Sequence, residues 1–333
     1  MQINTNGLKK FFSVDENLKR LENAQTIKSP IMDLIYPEEK RELYASPIVK
    51  KSDLPAAIKN APVIVRGDSA YELPSIKTTI NGYEPFPIEL SKRILASELS
   101  DLITNKALEN MQEDTTSINS IYNNQWERMR KTVHATTEAL CVQSLKGKIS
   151  YPIKETSDLY EVSFGTPKTI KTTLNLNSIT IGDILDLCYN LVDAVSVNGY
   201  GQDVVLMAGK NIFKHIVKLI SNMGSNPLGI TIFDGAIIFP AFKIVRIGSS
   251  YYDYNTKQYV QSIDDNKICA VAVDSPFWLP YCSIDDIEAE LKPMPFFTTY
   301  QVNKNPSSVD IFGKSKPFPV PVVDCIAWTE DLI

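Results

Sequence analysis

The side chains that most often carry out catalysis are sparse in this sequence and lack the spacing that catalysis needs. Its two histidines, His134 and His215, both fall within predicted helices. The five cysteines are widely separated and form no Cys-x-x-Cys pair, which is typical of reduced structural thiols. Neither a Cys–His nucleophile pair nor a zinc site has its usual flanking residues. These residues therefore predict no catalytic site and no resident cofactor.

Two glycine-containing segments resemble nucleotide-binding loops only in part. Gly209-Lys210 follows a predicted strand, but a phosphate-binding loop also needs a glycine five residues earlier and Ser or Thr after the lysine. Val204 and Asn211 occupy those two positions. Gly199-Tyr-Gly201 precedes the strand, whereas a dinucleotide-binding fingerprint follows its strand. Both segments predict turns.

Clustered aspartates are the remaining candidates for chemistry. They lie at Asp253, Asp264-Asp265 and Asp285-Asp286. A two-metal hydrolase could use such carboxylates, but each cluster falls in a polar turn, where aspartate is favoured for hydrogen bonds to its own backbone. We expect no metal site, and a metal-dependent hydrolase remains the alternative from another functional class. A metal-binding assay separates the two.

Composition sets the broad class of the protein. The chain has 333 residues, of which 44% are hydrophobic, so two subdomains with a sizeable core are expected. Its formal net charge of -5 argues against a protein whose main role is to hold nucleic acid through a basic face. No N-terminal secretion signal and no apolar run of membrane-spanning length is present. The sequence predicts a soluble protein made inside a cell, without a membrane partner.

The first 90 residues do not read as a closed domain. Residues 1–45 predict an arm with one short amphipathic helix, for which Ser13 is the N-cap and Glu16 follows three residues later. Residues 46–90 are rich in proline and contain two β-prone pieces around Arg66-Gly67-Asp68, which favours an extended hairpin. A long excursion of this kind usually serves binding.

A long helix and the segments beside it form the next unit. Residues 117–145 predict an amphipathic helix, and residues 91–111 are also compatible with a helix, with a break expected at 114–117. The apolar stripe consists of Ile118, Tyr122, Trp126, Met129, Val133 and Leu140. Alternation then predicts two strands, at 149–153 and 160–164, and two more at 296–302 and 309–312. We expect these four strands to form one sheet on which the helix lies.

The segment between these strands has the composition of a compact α/β subdomain. Thr180 and Asp183 predict a capping box at the start of an amphipathic helix that ends near Gly199. A buried strand from Val204, a second amphipathic helix and several apolar strands follow. A further strand is predicted from Val322 to Trp328.

Three local patterns within this order resemble the major capsid protein of tailed bacteriophages, in particular the lambda type with the Hong Kong 97-type fold. The helix-to-hairpin passage of that family is similar to Trp126-Glu-Arg-Met129, Leu145-Lys-Gly-Lys-Ile149 and Phe164-Gly-Thr-Pro167. Its aromatic-Pro-Pro entry resembles Tyr83-Glu-Pro-Phe-Pro-Ile88, and its C-terminal Pro-x-Pro ending resembles Ser315-Lys-Pro-Phe-Pro-Val-Pro321. The resemblance covers nearly the whole chain.

The resemblance implies an α+β fold with four parts. Residues 1–45 would be the N-terminal arm and residues 46–90 the extended E-loop hairpin. Residues 91–170 and 292–320 would form the P-domain, in which the long helix is a spine on a β-sheet. Residues 171–291 and 321–333 would form the compact α/β A-domain, which surrounds the symmetry axes of the shell.

The function that the resemblance implies is mechanical. Copies of the chain would assemble into pentamers and hexamers that form an icosahedral head around double-stranded DNA, without sequence-specific binding. Scaffolding and portal proteins are expected partners, and a decoration protein is a further one. Because the arm begins at Met1, scaffolding is expected to be a separate protein. The protein would be located in the virion capsid after assembly in the cytoplasm of the host bacterium.

The E-loop residues expected at subunit interfaces are Lys50, Lys51, Val63, Val65, Arg66 and Asp68. Charge reversal at the basic members of this set is expected to disturb assembly without unfolding the subunit. The lysine–asparagine cross-link of some relatives has no matching motif here. An encapsulin-like nanocompartment shell, which packages enzyme cargo instead of DNA, is the alternative within the same fold.

Overall fold

The computed structural model describes residues 5–50, 82–98, 115–153, 158–172, 178–197, 199–223 and 229–332, with the side chains of 5–7 and 115–119 outside that description. The helices are α1 (Thr5–Phe11), α2 (Val14–Asn23), α3 (Pro30–Ile35), α4 (Thr115–Ser144), α5 (Ile181–Val195) and α6 (Lys210–Ser221). The strands, in chain order, are β1 (Arg41–Tyr44), β2 (Val49–Lys50), β3 (Gly82–Tyr83), β4 (Ile88–Leu95), β5 (Lys148–Pro152), β6 (Leu159–Ser163), β7 (Lys168–Ile170), β8 (Val204–Ala208), β9 (Thr231–Phe233), β10 (Ala236–Ile238), β11 (Lys243–Arg246), β12 (Ser250–Asp253), β13 (Gln258–Gln261), β14 (Ile268–Ala272), β15 (Leu279–Cys282), β16 (Phe297–Lys304), β17 (Ser307–Ser315) and β18 (Ile326–Thr329).

A seven-stranded mixed sheet forms the larger core, in the order β7-β18-β14-β8-β11-β10-β9. Its central strand β8 is apolar throughout because both faces of the sheet are covered. Leu206 and Ala208 point towards α5 and α6, whereas Val205 and Met207 point to the opposite face. β8 and β11 are parallel, and the chain between them contains α6 followed by the strands β9 and β10.

The opposite face of this sheet is covered by α3 and by the C-terminal end of α4. Ile31 and Ile35 of α3 are fully buried there, together with Cys141 and Val142 of α4 and Leu145, the residue after its end. The long helix therefore reaches the seven-stranded sheet with one end. α3 fills the space beside it.

A second, three-stranded antiparallel sheet in the order β16-β17-β4 lies under the other end of α4. Two predictions are wrong here. Residues 91–95 belong to strand β4 and are not helical, because pairing with β17 places Ile94 opposite Val309 in the core beneath the helix. The ladder β5–β6 is a separate two-stranded sheet and does not join β16 and β17; the third strand of their sheet is β4, which pairs with β17.

Most other local predictions are confirmed. The hydroxyl of Ser13 accepts from the backbone N–H of Glu16 and begins α2. Thr180 and Asp183 form a reciprocal capping box at the start of α5. The predicted long helix is observed as α4, which starts two residues before Ser117 and ends one residue before Leu145.

Candidate assembly surfaces

The long helix α4, here called the spine helix, is a stiff element that connects the two sheets. Its 30 residues span about 45 Å at 1.5 Å per residue. Tyr122, Trp126, Met129 and Val133 are each at most 5% exposed and lie on the three-stranded sheet. The ring of Trp126 packs edge-on against Phe296, with the ring centroids 5.7 Å apart. The side chain of Ile118, predicted in the same stripe, lies outside the described side chains.

The helix and the sheet approach each other closely at a glycine of β17. A Cβ atom at Gly313 would lie 3.0 Å from the ring of Phe296 and 3.2 Å from the sulfur of Met129. These contacts are tighter than most Cβ contacts in proteins, so the side chains of Phe296 and Met129 would have to shift by a few tenths of an ångström to admit a larger residue. Gly313 thus lies at a close approach between the spine helix and its sheet.

The remaining predicted stripe residue, Leu140, belongs to a different cluster. It packs with Val49 of β2, Ile149 of β5 and Phe318 of the C-terminal segment. Val49 is fully buried. The described start of the 46–90 segment therefore packs in the same cluster as the C-terminal part of the spine helix.

The base of the excursion is a two-residue antiparallel ladder between β2 and β3. Val49 lies opposite Tyr83, and Lys50 lies opposite Gly82. A Cβ atom at Gly82 would come within 2.8 Å of the carbonyl oxygen of Val49, so the ladder requires glycine there. The ring of Tyr83 lies 5.7 Å from that of Phe318, which fixes the second strand to the body.

Among the predicted interface residues of the excursion, the structure describes only Lys50. Its side chain is exposed on β2, next to the buried Val49. The other predicted interface residues lie outside the described residues; they are Lys51, Val63, Val65, Arg66 and Asp68. The two strands predicted around Arg66-Gly67-Asp68 lie outside them as well.

The N-terminal segment lies against its own chain and is fixed to β16 by a buried asparagine. Asn17 of α2 is 0% exposed. Its Nδ2 donates to the carbonyl oxygen of Thr298 at 3.1 Å, and its Oδ1 accepts from the backbone N–H of Thr298 at 3.2 Å. β16 is an edge strand, so Asn17 satisfies backbone groups that have no neighbouring strand. The sequence pattern did not indicate Asn17, because its partner is 281 residues away.

A buried carboxylate fixes α3 to the spine helix. The N-cap residue of α3, Ser29, makes no side-chain capping bond. The two carboxylate oxygens of Glu138 accept from the backbone N–H groups of Ile31 and Met32, at 2.9 and 2.8 Å. These groups have no partner within their own helix, and a negative charge at a helix N-terminus is favourable. Glu138 was also missed by sequence analysis, since it appeared to be one polar residue of an amphipathic helix.

The charged groups around α3 have perturbed pKa values. Burial raises the pKa of Glu138, while its hydrogen bonds from Ile31 and Met32 oppose the rise. Burial lowers the pKa of His134, although the nearby Asp33 raises it. His134 shares a hydrogen bond of 2.9 Å with the hydroxyl of Ser29. This histidine therefore contacts the N-terminal segment, and no nucleophilic thiol is bonded to it.

The cysteines and Gly209, also considered as candidates for chemistry, are packed in the interior of the protein. All five cysteines are buried and unpaired. Burial raises the pKa of each thiol, which keeps the thiols protonated near neutral pH. Gly209 is the N-cap of α6, and a Cβ atom there would lie 2.1 Å from the carbonyl oxygen of Asp264. The glycine is therefore required for packing against a neighbouring loop.

Three of the clustered aspartates form ion pairs with lysines. Asp285 pairs with the buried Lys316 at 2.9 Å, and Asp286 pairs with Lys314 at 2.9 Å. Asp264 lies 3.4 Å from Lys267.

The other two aspartates have different surroundings. The carboxylate of Asp253 accepts hydrogen bonds from the turn residues Asn255 and Thr256. Oδ1 of Asp265 is buried without a hydrogen-bond partner among the described residues. Within that part of the chain, no group of three His, Cys, Asp or Glu side chains is arranged to hold a metal ion. In the same residues, no helix is both long and apolar enough to cross a bilayer.

Comparison with known proteins identifies the family of this chain and a solved structure with a similar fold. A family model described as phage major capsid protein E matches residues 13–327. A putative capsid protein of a prophage from E. coli CFT073 has a TM-score of 0.63 with 13% identity, over 96% of this chain and 99% of that protein. A comparison with curated proteins finds no match.

Two further solved structures are similar to the chain at lower scores. The capsid of an empty GTA particle has a TM-score of 0.46 with 8% identity, over 93% of this chain and 92% of that one. The procapsid of satellite phage P4 has a TM-score of 0.44 with 12% identity, over 94% and 98%.

The fold predicted by resemblance is thus confirmed by the prophage protein, whose structure matches over almost the full length of both chains. The family assignment rests on the sequence model, which covers all but the first 12 and last six residues of the 333. The chain belongs to the phage major capsid protein E family.

Proposed function

We propose that this protein is the subunit of an icosahedral phage head, in which pentamers and hexamers of the chain enclose double-stranded DNA. The observation that carries this proposal is the match of the capsid family model across residues 13–327. The architecture supports it, since one helix of 30 residues packs on two sheets and joins them into one body. Self-assembly through many modest interfaces gives a strong shell without any single strong contact.

The domain division predicted by resemblance is part of this proposal. Residues 1–45 act as the arm, 46–90 as the E-loop, 91–170 and 292–320 as the P-domain, and 171–291 with 321–333 as the A-domain. The E-loop reaches a neighbouring subunit through Lys50, Lys51, Val63, Val65, Arg66 and Asp68. The burial of Val49 supports a firm attachment for such a loop.

The further partners and the location belong to the proposal as well. Scaffolding and portal proteins assist assembly in the cytoplasm of the host bacterium, and a decoration protein binds the finished head. The role of the subunit is structural, not enzymatic. The pairing of Asp264, Asp285 and Asp286 with lysines supports this view, because paired carboxylates are poor candidates for metal ligands.

Imaging of the purified protein by negative-stain electron microscopy, together with its native mass, tests the proposal. Closed shells, or rings with a mass far above the 37.3 kDa of one chain, are expected. A strictly monomeric species at high concentration and at all salt concentrations would contradict it.

The contents of the particles separate the phage head from an encapsulin-like shell. Particles from phage-producing cells should contain nuclease-protected double-stranded DNA. Particles that contain a bound enzyme and no DNA would favour the nanocompartment.

A further inference from the structure

Two neighbouring helices of the α/β part carry charges of opposite sign. Both α5 and α6 pack on the same face of the seven-stranded sheet. α5 contains three aspartates and no basic residue, whereas α6 contains three lysines and no acidic residue. The surface formed by the two helices is therefore acidic along α5 and basic along α6.

The acidic ridge is the solvent-facing side of α5, formed by Asp186, Tyr189, Asn190 and Asp193. All four side chains are exposed, and Tyr189 is 48% exposed. The third aspartate of the helix, Asp183, is held in the capping box. Asp193 follows Asp186 at the seventh position along the helix, so the two residues are separated by about 10.5 Å along the helix axis.

The basic ridge is the solvent-facing side of α6, formed by Lys210, Lys214 and Lys218. Lys214 and Lys218 are exposed, and Lys210 is partly exposed. These residues follow each other at intervals of four, so they form one row about 12 Å long. The lengths of the two ridges therefore match.

Neither ridge is neutralised by those parts of its own subunit that the structure describes. Among the described residues, none of these two aspartates and three lysines lies within 4.0 Å of an oppositely charged group. Within the described residues, two other helices pair charges of opposite sign along their length, as Arg20 does with Glu16 in α2 and Arg130 does with Glu127 in α4. The solvent-facing sides of α5 and α6 each carry charge of one sign without such a pair.

We propose that the acidic ridge of one copy docks against the basic ridge of a neighbouring copy of this chain. An acidic ridge that meets a basic ridge joins two different surfaces of the same chain, and such a heterologous contact is the kind that builds head-to-tail rings. Complementary charge would fix the register of the contact and disfavour contacts between like ridges. Tyr189 supplies a large amphipathic side chain within the contact, a residue type enriched at interface centres.

This inference rests on the proposed role as a shell subunit, and a charge swap tests it. One variant carries Lys214→Glu and Lys218→Glu, a second carries Asp186→Lys and Asp193→Lys, and a third carries all four changes. The third has the same net charge as the unmodified protein and is the matched control. Circular dichroism and thermal melting of each variant establish that it is folded.

Sedimentation velocity and electron microscopy measure assembly as a function of protein concentration and salt. Each two-residue reversal should raise the concentration needed for half-assembly at least about tenfold, and the four-residue swap should restore it. If a charge reversal prevents folding, a neutral variant replaces it. The neutral variants are Lys214→Gln with Lys218→Gln for the basic ridge and Asp186→Asn with Asp193→Asn for the acidic ridge. They should weaken assembly less and flatten its salt dependence.

The outcomes that overturn the inference are distinct from failure of the proposed function. Normal assembly of both reversed variants would overturn the ridge contact while the shell role stands. A defect limited to the lysine variant would mean that the basic ridge binds a different, negatively charged partner such as DNA. Loss of assembly in all three folded variants would show that the two ridges do not pair. If the unmodified protein stays monomeric, both the shell role and this contact are wrong.

Discussion

The substitution Asn17→Ala tests whether one buried amide fixes the N-terminal helices to the three-stranded sheet. Besides its two backbone bonds to Thr298, Oδ1 of Asn17 accepts from the Thr298 hydroxyl at 2.6 Å. Its Nδ2 also donates to the carbonyl oxygen of Ser13 at 3.0 Å, within the turn that begins α2. Alanine removes all of these bonds and leaves the buried N–H and C=O of Thr298 without their partner.

The loss of stability in Asn17→Ala can be estimated from the two backbone groups of Thr298 that lose their hydrogen-bond partner. Each buried polar group without a partner costs about 1–3 kcal/mol, so the substitution should lower the free energy of unfolding by about 2–6 kcal/mol. The better helix propensity of alanine offsets only about 0.5 kcal/mol of this loss. Asn23→Ala in the same helix is the matched control, since Asn23 is exposed and bonds only locally to Lys19. We expect it to change stability by at most about 0.5 kcal/mol.

Urea unfolding followed by circular dichroism measures the decrease in the free energy of unfolding. Hydrogen exchange shows which elements are destabilised. Amides of α2 and β16 should exchange faster in Asn17→Ala, whereas those of α5 and α6 should keep their protection. Asn17→Asp, which keeps the acceptor and loses the donor, should also be destabilised. Equal stability of Asn17→Ala and Asn23→Ala, with unchanged exchange in β16, would refute the anchoring role of Asn17.

Three further outcomes are expected. Thiol reagents at pH 8 should not modify the folded protein, because burial raises the pKa of each thiol; the pKa of Cys282 is raised to about 12. Fast labelling before unfolding would contradict this prediction. The hydrogen bond from Arg93 lowers the pKa of Asp310, so this pair stabilises the fold above about pH 4 and its contribution is lost as the pH falls through the folded-state pKa. Asp310→Asn should therefore lower the melting temperature more at pH 7 than at pH 2, and an equal decrease at both values would count against the pair. Lys50→Glu or Arg66→Glu should impair shell assembly, measured by electron microscopy, without changing the melting temperature of the subunit; normal shells would show that the E-loop assignment of these residues is wrong.

The sequence predicted well those features whose interacting residues lie close together along the chain. The capping box at Thr180 and the N-cap at Ser13 lie within three residues of their partners, so the pattern alone identifies them. The burial of Trp126 and Met129 likewise agrees with the 3.6-residue period of the spine helix.

The parts that sequence analysis missed depend on distant partners. Residues 91–95 contain one fully buried apolar side chain, Ile94, and their strand exists because β17, more than 200 residues later, pairs with it. Asn17 and Glu138 have ordinary surface-helix surroundings in sequence, and only the fold brings Thr298 and α3 to them. Tertiary pairing overrides local propensity at such positions.

Electron cryomicroscopy of particles formed by the purified chain is the strongest test of shell assembly. We expect closed shells built from rings of five and six copies, with the spine helix and both sheets visible in every subunit. Density in which the chain is monomeric, or in which it forms particles without five- and six-membered rings, would contradict it.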